Sequence, residues 1–550
     1  MSLKAGTVAK RNPIFQRGFC AALVAVLVFF SRPAVPQVTP NRGLQQAAAL
    51  IQPADLKADL YFLASDDLGG RDSTSLEDHI ATDYIAAEFM RLGLKPVGDA
   101  GTYFQKMNII TGDLDRQHTT LTAKVGGVDH HYTISQDFWW AHQSLHPMTA
   151  CGPIVFAGYG INAPEFGYND FSGINLKGKI ALVLGREPQA NDPRSKFMGT
   201  FDTYHAFQRE KIEELRKQGV AGLLIVQDRV PRGTKPIPAS SPRASGGPSY
   251  ALAGEMWDIP VFTIRRDVAD QLLKPAEKTV DALQAEIDRT THPDSLDIPN
   301  SSACMSKAFT NLQTRQGRNV VGLLEGSDPK LKAQTIIVSA HHDHMGVRNG
   351  HIYHGADDDG SGIVGVMEIA KALVKGNIRP KRSVLFIAYD GEERVYLGSY
   401  YYVTHPIVPL DHTVANLNMD MIGRNENDPN WPMPADGNVN MVNVLGTRYN
   451  PVLRQIIDQE NRQEGLKLDY KMDVVDPDSL WSRSDQFWFA ALHIPQVEFQ
   501  TGLHPDYHTD NDTWNRINYP KLTKIIRLVF LSTADLADSD KKIPFTAQGH

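Results

Sequence analysis

Three apolar runs in the C-terminal half of this chain end directly in histidine or carboxylate side chains. Thr335–Ala340 runs into His341-His342-Asp343-His344, Ser383–Tyr389 into Asp390-Gly391-Glu392-Glu393, and Ala415–Met419 into Asp420. Two more clusters of the same residue types accompany them. Gly355-Ala356-Asp357-Asp358-Asp359-Gly360-Ser361-Gly362 stands just before a helical pattern, and Asp506-Tyr507-His508-Thr509-Asp510 comes late in the chain. Short, wholly apolar runs bounded by polar turns read as buried strands, whereas Ser361–Lys375, Gly398–Val403, Val452–Glu464 and Lys521–Ser539 carry apolar residues at helical spacing. With Val320–Leu324 and Pro495–Phe499 as further strands, the alternation predicts an α/β fold with a mixed central sheet and helices on both faces. Loops at the carboxyl ends of such strands converge on one point, so the five clusters are expected to meet there.

Each cluster alone has an ordinary reading. A histidine after a strand is commonly structural, three aspartates can be a solvated loop or a helix N-terminus, and two glutamates can be exposed charge. Asp420 is harder to dismiss, because it follows an apolar run where a carboxylate is costly unless paired or metal-bound. Taken in this order and at strand ends, the clusters point to a metal centre. The chain has only three cysteines and no Cys-x-x-Cys pair, so the ligands must be imidazole and carboxylate, a set that suits zinc. Glu392 and Glu393 are neighbours whose side chains point apart, so one can be a ligand while the other is free to move a proton.

The N-terminal half differs in texture. Ala54–Leu94 reads as two amphipathic helices with Gly93 as the second C-cap, and Thr119–Val125 and Tyr132–Ser135 read as strands. From Gly152 onward, Ile154–Gly160, Ile180–Leu184, Gly222–Val226 and Ile259–Ile264 are buried strands, with a helix over Tyr204–Gln218 and a Pro-, Ser- and Gly-rich loop over Arg229–Gly247. This small α/β unit looks inserted, because the C-terminal pattern resumes only after about Asn300. Lys4, Lys10, Arg11 and Arg17 precede an apolar run over Phe19–Phe30, shorter than the ~20 residues of a spanning helix, which is the layout of a secretory signal. Export and release are therefore expected, with no stable membrane insertion afterwards. Cys151 and Cys304 would then remain, as one bridge or as two buried thiols. Lysine plus arginine total 56 against 63 acidic residues, a net charge of -7 that argues against a general nucleic-acid or anionic-membrane binder.

The segments Ala340–Asp343, Gly355–Gly362, Gly391–Glu393, Asn418–Met421 and His508-Thr509 resemble, in order, those of the two-zinc aminopeptidase and glutamate carboxypeptidase-like family, metallopeptidase family 28. The resemblance implies a zinc-exopeptidase sandwich divided into a signal peptide over 1–36, the N-terminal part of the peptidase domain over 37–145, a protease-associated insert over 146–290 and the main zinc domain over 291–550. It implies two Zn2+ ions per chain, held by His341, Asp357, Glu393, Asp420 and His508 with Asp357 bridging and a cis Asp357-Asp358 peptide. Asp343 would orient His341, and Glu392 would be the general base. The implied reaction is removal of N-terminal residues from short peptides; carboxypeptidase or dipeptidase action, with Arg424 or Arg483 binding a terminal carboxylate, and a metal-free binding protein are the alternatives. Arg394-Val395 and Ser484-Asp485-Gln486 depart from the family pattern. His342, His344, His354 and His504 are not assigned as ligands.

Overall fold

The computed structural model describes residues 42–140, 145–192, 194–198, 202–227, 249–254, 258–426, 438–474, 476 and 480–546. The expected signal segment and the loop Arg229–Gly247 lie outside the described residues. Among the described residues, no helix is long and apolar enough to cross a membrane.

The expected mixed sheet is present. Its strands lie in the order Ser249–Leu252, Phe104–Leu114, Phe309–Leu324, Ser383–Tyr389, Thr335–His341, Thr413–Met419, Gln496–Gln500, Met441–Leu445 and Lys467–Asp469. Ser383–Tyr389, Thr335–His341, Thr413–Met419 and Gln496–Gln500 are mutually parallel, while Phe309–Leu324 and Phe104–Leu114 add on antiparallel. The parallel strands are buried at every position but Val414, which is why they read as largely apolar runs rather than alternating ones.

Successive side chains on these strands enter different cores. Ile336, Val338 and Ala340 pack with the helices Pro53–Leu63, Leu76–Leu92, Gly362–Lys375 and Tyr519–Asp538, whereas Ile337, Leu385 and Ile387 share a core with Tyr402 and Phe489 from the helices Leu397–Thr404 and Phe487–Ala491. Helices thus cover both faces. Leu76–Leu92 is bounded as its residues dictate: the Ser75 hydroxyl accepts from the Asp78 N–H, and Gly93 closes it at φ 74, a left-handed conformation that glycine adopts freely.

A second sheet runs Val128–Tyr132, Thr120–Val125, Leu296–Lys307, Met148–Phe156, Ile180–Leu184, Gly222–Val226, Val261–Ile264 and Phe138–Trp140. It therefore extends beyond the expected insert boundaries of 146 and 290 on both sides. The long strands Phe104–Leu114 and Leu296–Lys307 were not legible, and of Phe309–Leu324 only the apolar end Val320–Leu324 was, because stretches such as Thr310–Gln316 are exposed and largely polar and mimic loop. Tyr204–Gln218 is a short 3-10 turn, Tyr204–Ala206, followed by the helix Gln208–Lys217.

Two features of the second sheet lead to measurable expectations. Cys151 and Cys304 are directly opposed on adjacent antiparallel strands and are joined in a disulfide. The bridge closes a loop of 153 residues, so replacing both cysteines by serine is expected to lower stability by about 3–5 kcal/mol, read by denaturant unfolding of chains that resist alkylation until reduced. Lys307 is buried against the Phe309 ring, and burial lowers its pKa to about 7. Between there and the ordinary lysine value the unfolded chain binds the extra proton, so the fold gains stability as pH rises. The stability advantage of Lys307→Met over the wild type should accordingly shrink between pH 7 and 10.

Candidate metal centre

The carboxyl ends of Thr335–His341, Ser383–Tyr389 and Thr413–Met419 deliver His341, Glu392, Glu393 and Asp420 to one side of the sheet, where the Gly355–Gly362 turn and the His504–His508 loop meet them. At the centre is Asp358. One of its oxygens lies 3.3 Å from His341 Nε2, and the other lies 3.0 Å from His508 Nε2. Asp420 Oδ1 is 3.8 Å from His341 Nε2, and Glu393 Oε1 is 3.2 Å from His508 Nε2.

The assignment of Asp357 to this position is corrected by one residue. Asp357 Oδ1 accepts from the Gly423 N–H at 2.6 Å, and its Oδ2 is 3.2 Å from His504 Nε2, away from His341 and His508. The cis peptide is Asp358-Asp359, not Asp357-Asp358. Asp359 is close enough to His341 and Asp420 to group with them. Its oxygens, however, accept from the backbone N–H groups of His341, Gly362 and Met421 at 2.9–3.2 Å, so it ties three loops together, and Asp358 is the carboxylate the two histidines share. Three consecutive aspartates thus have three different jobs, assigned by a turn that starts at Gly355 with φ 58 and contains non-helical dihedrals at Asp358 and Asp359.

The supporting contacts are equally specific. His341 Nδ1 is 3.1 Å from the Asp343 carbonyl oxygen and 3.7 Å from its carboxylate, which leaves Nε2 facing Asp358. The Asp343 carboxylate also accepts from the Glu392 N–H at 3.0 Å. Glu392 Oε2 is 3.9 Å from His341 Nε2. Asp512 accepts from the N–H groups of Asp357 and Asp358 at 3.0–3.1 Å and so fixes the turn from behind, a role the sequence did not signal. Arg71, also fully buried, donates to the carbonyls of Leu63, His342, His354 and Gly355, fastening both site loops to the lead-in helices.

Electrostatics follow from this crowding. Burial alone would raise Asp358 and Glu393, but the surrounding imidazoles outweigh it and hold both below the ordinary carboxylate range. Burial would lower His508, yet Glu393 and Asp358 push it up to about 9. Glu392 lies the other way: burial, reinforced by Asp420 and Glu393, raises it well above an ordinary glutamate. Several buried polar atoms in the centre make no hydrogen bond, among them His341 Nε2, Glu393 Oε1 and Asp420 Oδ1. Orphaned atoms of this kind are costly unless a cation receives them, and the imidazole and carboxylate donors fit zinc.

The remaining histidines separate clearly. The His342 ring turns away, with Nδ1 2.8 Å from Asp78 and Nε2 3.2 Å from the Arg318 carbonyl oxygen. His354 meets Asp66 at 2.8 Å. His344, by contrast, lies inside the centre, with Nδ1 2.8 Å from Glu393 Oε1.

Residues 319–533 match the family model of peptidase family M28. Those residues form a peptidase family M28 domain. Aminopeptidase YwaD of Bacillus subtilis (strain 168) is 26% identical over 302 residues, covering 53% of this chain and 54% of that protein. A vacuolar membrane protease of Tuber melanosporum is 32% identical over 106 residues, 18% of this chain and 10% of that protein. Matches to these curated relatives thus span about half of their length or less. Among solved structures, an aminopeptidase from Aneurinibacillus sp. strain AM-1 aligns over 91% of this chain and 98% of its own, at 18% identity and a TM-score of 0.47.

Proposed function

We propose that the chain is an exported zinc exopeptidase that works with two ions and releases N-terminal residues from short peptides. The observation that carries this reading is Asp358, one carboxylate presenting its two oxygens to two histidines, His341 at 3.3 Å and His508 at 3.0 Å. His341 and Asp420 would hold one ion and His508 and Glu393 the other, with Asp358 shared between them. Zinc bound there would polarise the scissile carbonyl and lower the pKa of the attacking water.

The chain's own residues do the rest. Asp343, through its backbone and carboxylate, sets the His341 ring and the Glu392 backbone together. Glu392 is held beside His341 without being placed between the two histidines, which suits it to accept a proton from the attacking water and return it to the departing amine. Burial of the surrounding carboxylates excludes competing solvent and strengthens each contact.

The amino-terminal reading is favoured over the carboxypeptidase alternative by the state of the cationic candidates. Arg424 is paired with Asp506 at 2.6 Å, and Arg483 donates to the Tyr507 hydroxyl at 2.9 Å, so each guanidinium already has a partner within the protein. Asp485 is fully buried, and burial raises its pKa to about 7. In this reading the second sheet and its helices would be the protease-associated unit, and would restrict the centre to short substrates.

A panel of free-amine, N-blocked and free-carboxylate peptides, offered to zinc-loaded protein, tests the assignment. Turnover confined to free-amine peptides is expected. Turnover of N-blocked peptides with free carboxylates would transfer the assignment to a carboxypeptidase.

A further inference from the structure

The second half of the centre contains one donor more than the pair of carboxylates and the histidine already assigned to it. His344 is completely buried, and its ring is wedged against the Gly355 backbone: a Cβ on Gly355 would meet His344 Cγ at 2.5 Å. Its own N–H donates to the Arg71 carbonyl at 2.9 Å, which fixes the residue from the backbone side. The ring packs there with Nδ1 2.8 Å from Glu393 Oε1 and 3.9 Å from Asp358 Oδ2. The same two oxygens lie 3.2 and 3.0 Å from His508 Nε2. The two imidazoles face this point at 68° to each other with centroids 5.7 Å apart, as donors on different sides of one ion do.

Neither nitrogen of the buried His344 ring makes a hydrogen bond of acceptable geometry, nor does Glu393 Oε1. An imidazole merely orienting Glu393 would leave no such orphans.

Resting on the two-ion reading above, we infer that His344 is itself a ligand, so that one ion is held by four side chains, Asp358, Glu393, His508 and His344, and the other by only three, His341, Asp358 and Asp420. Four protein ligands close a zinc site, whereas three leave a position for a reactant. The two ions then have unequal tasks. The ion at His344 is the tighter, charge-holding member. The site at His341, beside Glu392, would leave a position open for water and substrate.

The decisive experiment uses the wild-type protein loaded with cobalt(II) in both positions. Its proton NMR spectrum should show three strongly hyperfine-shifted, solvent-exchangeable imidazole N–H resonances, from His341, His508 and His344. One of these should vanish in His344→Gln, and in that variant the affinity for one zinc equivalent should fall at least about 10–100-fold while the other is retained. Two shifted N–H resonances in the wild type would remove His344 from the ligand set and leave the two-ion centre standing. None at all would overturn both. The wild-type spectrum decides the matter even if the variant does not fold.

Discussion

Glu392→Gln is expected to keep its full complement of zinc and lose turnover by about 10²–10⁴-fold, the range that a positioned general base contributes. The substitution preserves volume and leaves the backbone N–H bonded to Asp343, so the loop should not move. It removes only the ability to take up a proton. Metal analysis and kcat measured on the same sample separate this outcome from a damaged site. A variant with reduced zinc content would instead make Glu392 a ligand, and an active one would move the base elsewhere.

The second large effect concerns neighbouring aspartates. Asp358→Asn removes the one carboxylate among the described residues positioned to serve both histidines, so at least one zinc equivalent should be lost. The loss of a metal's electrostatic contribution, several kcal/mol at about 1.4 kcal/mol per factor of ten, puts the drop in kcat/KM on the order of 10³-fold or more. Asp357→Asn should behave differently, retaining both equivalents, because Asp357 bonds the Gly423 N–H and approaches His504 instead. Equal zinc loss in the two variants would contradict the placement of Asp358 at the centre.

That pair of variants also marks where sequence reasoning reached its limit. Ser383–Tyr389 could be delimited to the residue, because a strand buried on both faces has no polar position to confuse its ends. Asp420 stood out for a related reason, since it follows an apolar run where a carboxylate needs a purpose, whereas His341, Glu393 and His508 were picked from their clusters only by the resemblance to metallopeptidase family 28. The aspartate triplet offers no such phase. Three identical residues in a row carry no information on which one turns inward, and the answer lies in the backbone dihedrals of Asp358 and Asp359. His344 suffered similarly, since three residues after His341 in an irregular loop there is no period to say which way a ring faces. Asp512 and Arg71 act from distant segments, and nothing local to either announces the turn or the carbonyls that it holds.

The nesting of the second sheet within the first has a consequence for how the chain reaches this state as it is synthesised. Phe104–Leu114 leaves the ribosome long before Ser249–Leu252 and Phe309–Leu324, the strands that flank it in the finished sheet. A strand that buries alternate residues such as Met107 and Ile109 and has both edges open is a hazard during that interval. The second sheet is nearly all made by then, and its strands Thr120–Val125 and Leu296–Lys307 are neighbours, with Thr120 opposite Ser306. Once those two have paired, Leu114 and Phe309, which face each other across the larger sheet, are already at either side of one short junction. Pairing of those two strands would thus turn a long chain closure into a local one.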